Sequence, residues 1–413
     1  MINQTIKANG DNIEKNRSEL DSLGQYYTLL NGKYSSRLCI TVHFYEQIHP
    51  DMLQRAVDDT VKRIPLLSYR FVKGIIKYYL KLSSQVPKII YAQSPVELEN
   101  ILVASSDCTF RVIYGDKRIT VDTTHNFADG RGLMIITGAL LTRYFELLGV
   151  DIDKTGVVDC ADSPIPEETE DAYIRYGKSD NVNDPIIFKV YHHEGSKPGE
   201  LTFLKKNFHT DSIKSAAKAC GATVTVYILA QIFMAIAAER NSRGEKNPIT
   251  TRIPIDCRGF FPSRTIRNFT IGRQITMPET DDLPEMIQQL KLQFATINKD
   301  YVQSVINVFY KNRNKGWFLP VFIKRAAIKS AWTAEENRYT ITYSNLGLFK
   351  LPGEIEKRIE NLEFDARGFN TGLPIHIPYK FSSITFGNTL SFSIIKSVEG
   401  DTIVNDIYKR LEG

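Results

Sequence analysis

The sequence predicts a mixed α/β protein built as two similar halves. Strand-like alternation and helix-like spacing interleave along the whole 413-residue chain. The length accommodates two or three packing units, each large enough to bury a core. An acidic stretch, 151–185, separates one α+β run from another; it includes Asp151, Asp153, Asp159, Asp162, Glu167, Glu168, Glu170 and Asp171.

The elements follow in order. Residues 1–20 are polar, carry charges of both signs, and are expected to form a mobile tail. Leu53, Ala56, Val57, Val61 and Ile64 keep helical spacing between Pro50 and Pro65, which predicts a helix. Ile76, Tyr78 and Leu80 alternate after Gly74, predicting a hairpin over 71–82. Gly115-Asp116 punctuates a second hairpin over 110–124. Leu133, Ile136, Leu140, Leu141, Tyr144 and Leu148 then form one helical stripe ending at Gly149. The first half is thus placed at 21–150, the crossover at 151–185, mostly on the surface, and the second half at 186–413.

In the second half, a strand is expected over 201–208, followed by a Thr210-Asp211 cap and the helix of Ile213 to Ala219. Thr223 to Ala238 is the longest apolar run. It is interrupted by Thr225 and Gln231 and falls short of the about 18 apolar residues a membrane span requires, so it predicts a buried helix. Asp282 and Pro284 open a further helix, and strands are expected over 339–343 and 389–396.

Composition excludes some classes of function. With 52 Lys+Arg against 47 Asp+Glu, the net charge of +5 is too thin for a nucleic-acid footprint. Cys39, Cys108, Cys160, Cys220 and Cys257 are widely spaced and form no CxxC pair, the pattern of reduced thiols in a cytoplasmic protein. Gly177-Lys178-Ser179 fails as a phosphate loop because Ala172 holds the upstream glycine position. Gly130 and Gly132 begin a dinucleotide fingerprint that Ile135 breaks, and no GxSxG elbow is present. No metal site is expected.

One stretch carries chemistry: Val121-Asp-Thr-Thr-His-Asn-Phe-Ala-Asp-Gly130, with His125, Asp129 and Gly130 in the pattern HxxxDG. It falls between a predicted strand and a predicted helix, on a loop held by a sheet. A neutral imidazole there can take a proton from a hydroxyl or an amine. Asp129 is placed to cap the following helix, where the dipole favours a carboxylate. On spacing alone, a satisfied loop histidine and a simple helix cap fit equally well.

His125-Asn-Phe-Ala-Asp129-Gly130 resembles the active-site motif of the chloramphenicol-acetyltransferase-like superfamily. That superfamily includes condensation domains, plant HxxxD acyltransferases and alcohol acetyltransferases. Condensation domains usually carry two adjacent histidines; here Thr124 replaces the first. Asp51 to Pro65 resembles the family's early helix. Pro254-Ile-Asp-Cys-Arg258, with Asn268-Phe269 beyond it, resembles its mid-second-half segment, and Tyr343-Ser344-Asn345-Leu-Gly347 with Leu351-Pro352 resembles its SNxG…LP turn. The nearest branches are the bacterial alcohol acetyltransferases and stand-alone condensation-like enzymes.

The resemblance implies two subdomains in a V with an active-site tunnel between them. It implies an acyltransferase moving an acyl group from acyl-CoA or a carrier-bound phosphopantetheine to an alcohol or amine, with no tightly bound cofactor. His125 would be the general base, and Asp129 an orienting residue paired with Arg258. Asn268, Ser344 and Asn345 would contact substrate or the oxyanion, although Asn345 and Gly347 also fit a simple turn. Arg252, Arg258, Arg264, Arg267 and Arg273 form a cationic stretch; Arg264 and Arg267 would meet donor phosphates, or the stretch is a solvated face. His192-His193 lacks the following Asp-Gly and reads as surface, whereas Trp317, Phe318, Phe322 and Trp332 read as core. The protein is expected to be a cytoplasmic monomer. Two alternatives remain: a condensation enzyme joining carrier-bound partners, and a non-catalytic binding module of the same fold.

Overall fold

The computed structural model describes residues 17–31, 36–83, 85–104, 106, 108–180, 190–193, 201–313, 318–367 and 377–413. Residues 1–16 of the expected tail, Trp317 and the side chain of Trp332 lie outside this description.

In the first half the order is β1 (Arg17–Ser18), α1 (Ser22–Asn31), β2 (Arg37–Phe44), α2 (Pro50–Arg63), β3 (Tyr69–Lys73), β4 (Tyr78–Leu82), β5 (Ile90–Tyr91), α3 (Pro95–Val103), β6 (Phe110–Gly115), β7 (Arg118–Thr124) and α4 (Gly130–Leu147). Both expected hairpins are present as antiparallel pairs, β3 with β4 and β6 with β7. Pro50 starts α2, where its missing N–H costs nothing, and Lys62 and Arg63 close it at the negative end of the dipole. Its Leu53, Ala56, Val57 and Val61 stripe is buried and packs on α4. At the far end of α4 the chain turns at Gly149, whose φ of +83° is left-handed and suits glycine.

The tail expectation is corrected at its end. Arg17 and Ser18 pair with Lys81 and Leu80, and Leu20 and Asp21 are buried. The crossover is also less superficial than its acidity suggests. Ile152, Glu168, Ala172 and Tyr173 are buried, and Glu168 takes two hydrogen bonds from Arg63, at 2.6 and 2.8 Å. Charge density alone did not register that a carboxylate with a bidentate arginine partner can be carried inward.

The crossover carries α5 (Ala172–Tyr176), and the second half contains β8 (Thr202–His209), α6 (Thr210–Ala219), α7 (Val224–Ser242), β9 (Thr250–Asp256), β10 (Thr270–Thr276), α8 (Leu283–Ala295), α9 (Lys299–Asn312), α10 (Val321–Glu336), β11 (Ile341–Leu348), α11 (Gly353–Glu356), β12 (Ile359–Arg367), β13 (Tyr379–Phe386), β14 (Thr389–Lys396) and α12 (Thr402–Glu412). Helix α6 begins at Thr210 itself, with His209 at the N-cap and no side-chain cap, so the Thr210-Asp211 cap is corrected. Thr223 does cap α7, accepting from the Val226 N–H, and that apolar helix is buried on nearly every side. Phe318 and Phe322 are 64% and 69% exposed, not core. No single described helix is long and apolar enough to cross a membrane.

Three sheets result. A six-stranded sheet runs β10-β9-β11-β13-β14-β8, and a small one β1-β4-β3. The five-stranded sheet, β12-β2-β7-β6-β5, takes its edge strand from late in the chain, Arg367 pairing with Arg37 and Ile359 with Phe44. A single cut at 151–185 therefore does not separate the sheets. Cores form on each side, one around β2, β7, α2 and α4 and one around α7, β13 and β14, with a third under α1, α5 and α9.

Candidate active site

Strand β7 delivers the histidine loop to the end of the five-stranded sheet. Its last residue, Thr124, pairs with Arg37, and the His125 N–H donates to the Ser36 carbonyl at 2.7 Å. Phe127 and Ala128 N–H groups both return to the Thr124 carbonyl, which closes the loop tightly over buried Phe127 and Ala128. His125 is thus held by backbone on a rigid support.

Asp129 is wholly buried and takes part in four hydrogen bonds. It is the N-cap of α4: Oδ1 accepts from the Gly132 N–H at 2.8 Å. Oδ2 accepts from the Phe269 N–H at 2.7 Å and from Arg258 Nη1 at 2.9 Å, while Arg258 Nη2 reaches Oδ1 at 3.3 Å. Arg258 also bonds Asp256 and the carbonyls of Thr265 and Arg267. One carboxylate thereby ties the histidine loop to a segment some 130 residues on in the chain.

The glycines beside it differ in stringency. A Cβ on Gly130 would meet only the Leu346 side-chain tip, at 2.3 Å, which can move. A Cβ on Gly132 would lie 1.9 Å from the Ile266 backbone oxygen, which cannot move without shifting the segment that carries Arg258's partners. Gly132→Ala is therefore expected to cost at least about 1–3 kcal/mol, and Gly130→Ala much less. Urea-unfolding midpoints of the two variants check the order.

The imidazole of His125 is half-buried and stacks on Tyr27 of α1, centroids 4.6 Å apart at 35°. Nδ1 lies 3.0 Å from Asn268 Oδ1. Asn268 Nδ2 donates to both oxygens of Asp21, at 3.3 and 3.2 Å; Asp21 also accepts from the Gly24 N–H at 2.7 Å and faces Arg267 Nε at 3.4 Å. Desolvation holds the His125 pKa below its usual range, and the positive charge of Arg252 adds to this against the pull of Asp129 and Asn268. The ring is accordingly neutral at neutral pH, with Nε2 making no hydrogen bond among the described residues.

The other residues singled out from sequence fall differently. Asn268 is brought to His125. Asn345 is not: its amide donates to Thr225 and its oxygen accepts from the Gly347 N–H, fixing a turn in which Gly347 has φ +72°. Ser344 lies in β11 opposite Ser382, with no hydrogen bond to His125. Arg264 is exposed. Arg267 is corrected as a phosphate contact: it is 5% exposed and is taken up by Asp21 and the carbonyls of Thr169 and Glu19. His192 is exposed, and His193 pairs with Glu239 at 3.3 Å.

Sequence reasoning passed over Asp21, Tyr27, Gly24 and Gly132. A Cβ on Gly24 would sit 2.3 Å from the Asn126 oxygen, so α1 and the histidine loop touch through a glycine. The one local signal for Asp21 was a carboxylate beside Leu20 and Leu23 at the start of an apolar run.

The fold, two sheets with an edge strand inserted from late in the chain, is the fold of solved condensation and epimerization domains and of TRI101. Among solved structures, the chain is similar to polyketide synthase associated protein 5 from Mycobacterium tuberculosis (12% identity, 95% of this chain and 96% of that one, TM-score 0.65). It is also similar to F. graminearum TRI101 complexed with coenzyme A and deoxynivalenol (11%, 94% and 96%, 0.64). A third is the epimerization domain from the third module of tyrocidine synthetase B (14%, 96% and 95%, 0.64). No protein-family model matches the chain, and no curated protein matches it.

Proposed function

We propose that the protein is an acyltransferase that moves an acyl group from a thioester, on coenzyme A or a phosphopantetheine arm, to a hydroxyl or amine. The observation that carries this reading is His125, a neutral imidazole on a rigid loop, with Nδ1 engaged and Nε2 making no hydrogen bond among the described residues. The likeness to TRI101, solved with coenzyme A, supports the donor class.

In this reading Nε2 removes the proton from the acceptor as its oxygen or nitrogen attacks the thioester carbonyl. The tetrahedral intermediate collapses by breaking the carbon–sulfur bond, and the departing thiolate takes the proton back from Nε2. No acyl-enzyme is needed because the thioester is already activated. Asp129 and Arg258 hold the loop and do not touch the reacting atoms.

The test is thioester consumption by the purified chain, with coenzyme A donors of varied acyl length and mixed alcohols and amines. Acceptor-dependent thiol release is the expected result. Its absence with every coenzyme A donor, and with acyl carrier-protein donors, overturns the reading. Because the base works only when neutral, activity is expected to fall as pH drops through the lowered His125 pKa, giving an acid limb below the range of an ordinary histidine.

A further inference from the structure

We propose that Asp21 and Asn268 are positioning residues that hold His125 in its Nδ1–H form, leaving Nε2 as the proton-accepting atom. The kinetic part of this assignment rests on the acyl-transfer reading; the tautomer itself does not.

An ionised Asp21 can only accept hydrogen bonds, and it accepts from the Gly24 N–H while facing Arg267 Nε. The Asn268 amide must then turn its NH₂ toward Asp21, within 3.3 and 3.2 Å of the two oxygens. That orientation leaves the Asn268 oxygen, an acceptor, 3.0 Å from His125 Nδ1. A neutral imidazole has one N–H, and an acceptor at Nδ1 recruits it there. Asp21 and Asn268 are both wholly buried, so water does not compete for the relay.

The relay joins three parts of the chain that meet only on folding: the start of α1, the loop after β7 and the segment before β10. It also contains a reversal. If Asp21 gains a proton, its O–H can donate to the Asn268 oxygen, and the amide turns over. Its NH₂ then faces Nδ1, which must accept, so the ring proton moves to Nε2 and the base atom is lost. The Asp21 carboxyl is pushed up to about 6 by burial, with Asp171 adding to the rise and Arg267, Gly24 and Asn268 opposing it. The charged and titratable groups around His125 itself are Asp129 and Arg252, with the Tyr27 ring stacked on it. Protonation of Asp21 near pH 6, and protonation of His125 below its usual range, therefore each remove the active form.

The experiment is nitrogen NMR of the full chain with ¹⁵N-labelled histidine, the His125 signals being assigned by their loss in His125→Gln. In the parent protein above pH 6, Nδ1 is expected to have the protonated and Nε2 the unprotonated shift. Asp21→Asn offers one acceptor oxygen where the carboxylate has two, and is expected to mix the tautomers. In the assay it should lower kcat by about 10–100-fold, the scale seen for hydrogen-bond partners that orient metal-bound histidines, with KM little changed. The acid limb should drop from second order in protons to first.

Parental tautomer, kcat and pH limb in Asp21→Asn would overturn the proposal. Should that variant not fold, the parent's own titration decides: a tautomer unchanged through pH 6 overturns it, and a shift toward Nε2–H supports it. An Asp21-dependent tautomer in a protein that consumes no thioester keeps the positioning role and discards acyl transfer.

Discussion

Replacing His125 with alanine is expected to reduce thioester transfer by about 10²–10⁴-fold while leaving the fold intact, the scale of a lost general base. The expected intactness follows from how the loop is held. Its anchors are the main-chain bonds of residues 125, 127 and 128 to Ser36 and Thr124, together with buried Phe127, and none uses the imidazole. The ring loses only the Tyr27 stack and one bond to Asn268. Circular dichroism and thermal unfolding should overlay those of the parent, and the kcat assay carries the difference. Parental turnover in a folded His125→Ala protein would defeat the mechanism. His125→Asn, which retains a polar group without the basicity, should be equally impaired.

Asp129→Ala is expected to behave in the opposite way, failing through the fold. The carboxylate is fully buried, and removing it leaves the Phe269 and Gly132 N–H groups without their acceptor and takes one of two carboxylate partners from the Arg258 guanidinium, which keeps Asp256 and the carbonyls of Thr265 and Arg267. Breaking one side of a buried ion pair costs up to about 3–5 kcal/mol, less here because Arg258 keeps Asp256, and the lost helix cap adds about 1 kcal/mol. Denaturant unfolding should show that loss, and activity should fall with it because the loop is no longer tied to the second half. The double variant Asp129→Ala/Arg258→Ala should be less destabilised than the sum of the singles, since both changes remove the same pair of hydrogen bonds. Additive losses, or a parental melting temperature for Asp129→Ala, would show that the pair does not hold the loop.

Legibility in the sequence followed the range of the interactions. Strand alternation and the 3.6-residue period are local, so the hairpins β3–β4 and β6–β7 and the helices α2, α4 and α7 could be read directly. The HxxxDG loop was readable for the same reason: a cap, a histidine and a glycine fall within six residues. Misreadings arose where a distant partner changed the environment of a polar group. Glu168 belonged to an acidic surface until Arg63 was seen to meet it, and Arg267 belonged to a cationic patch until Asp21 was. Phe318 and Phe322 erred the other way, since exposure at the start of α10 depends on what packs there and not on residue type.

By itself the sequence determined that the chain is α/β, where its main helices and hairpins lie, and which short loop brings a histidine, an aspartate and a glycine together, because these depend on neighbours along the chain. The tertiary structure alone decided that β12 leaves its own half to complete the first sheet. It alone decided that Gly132, more than Gly130, is where a side chain cannot fit, and that Asp21 stands behind His125 through Asn268. Asp21 and Asn268 are 247 residues apart. No periodicity or local propensity links groups at that separation; only burial, which strips both of water, makes each the other's partner.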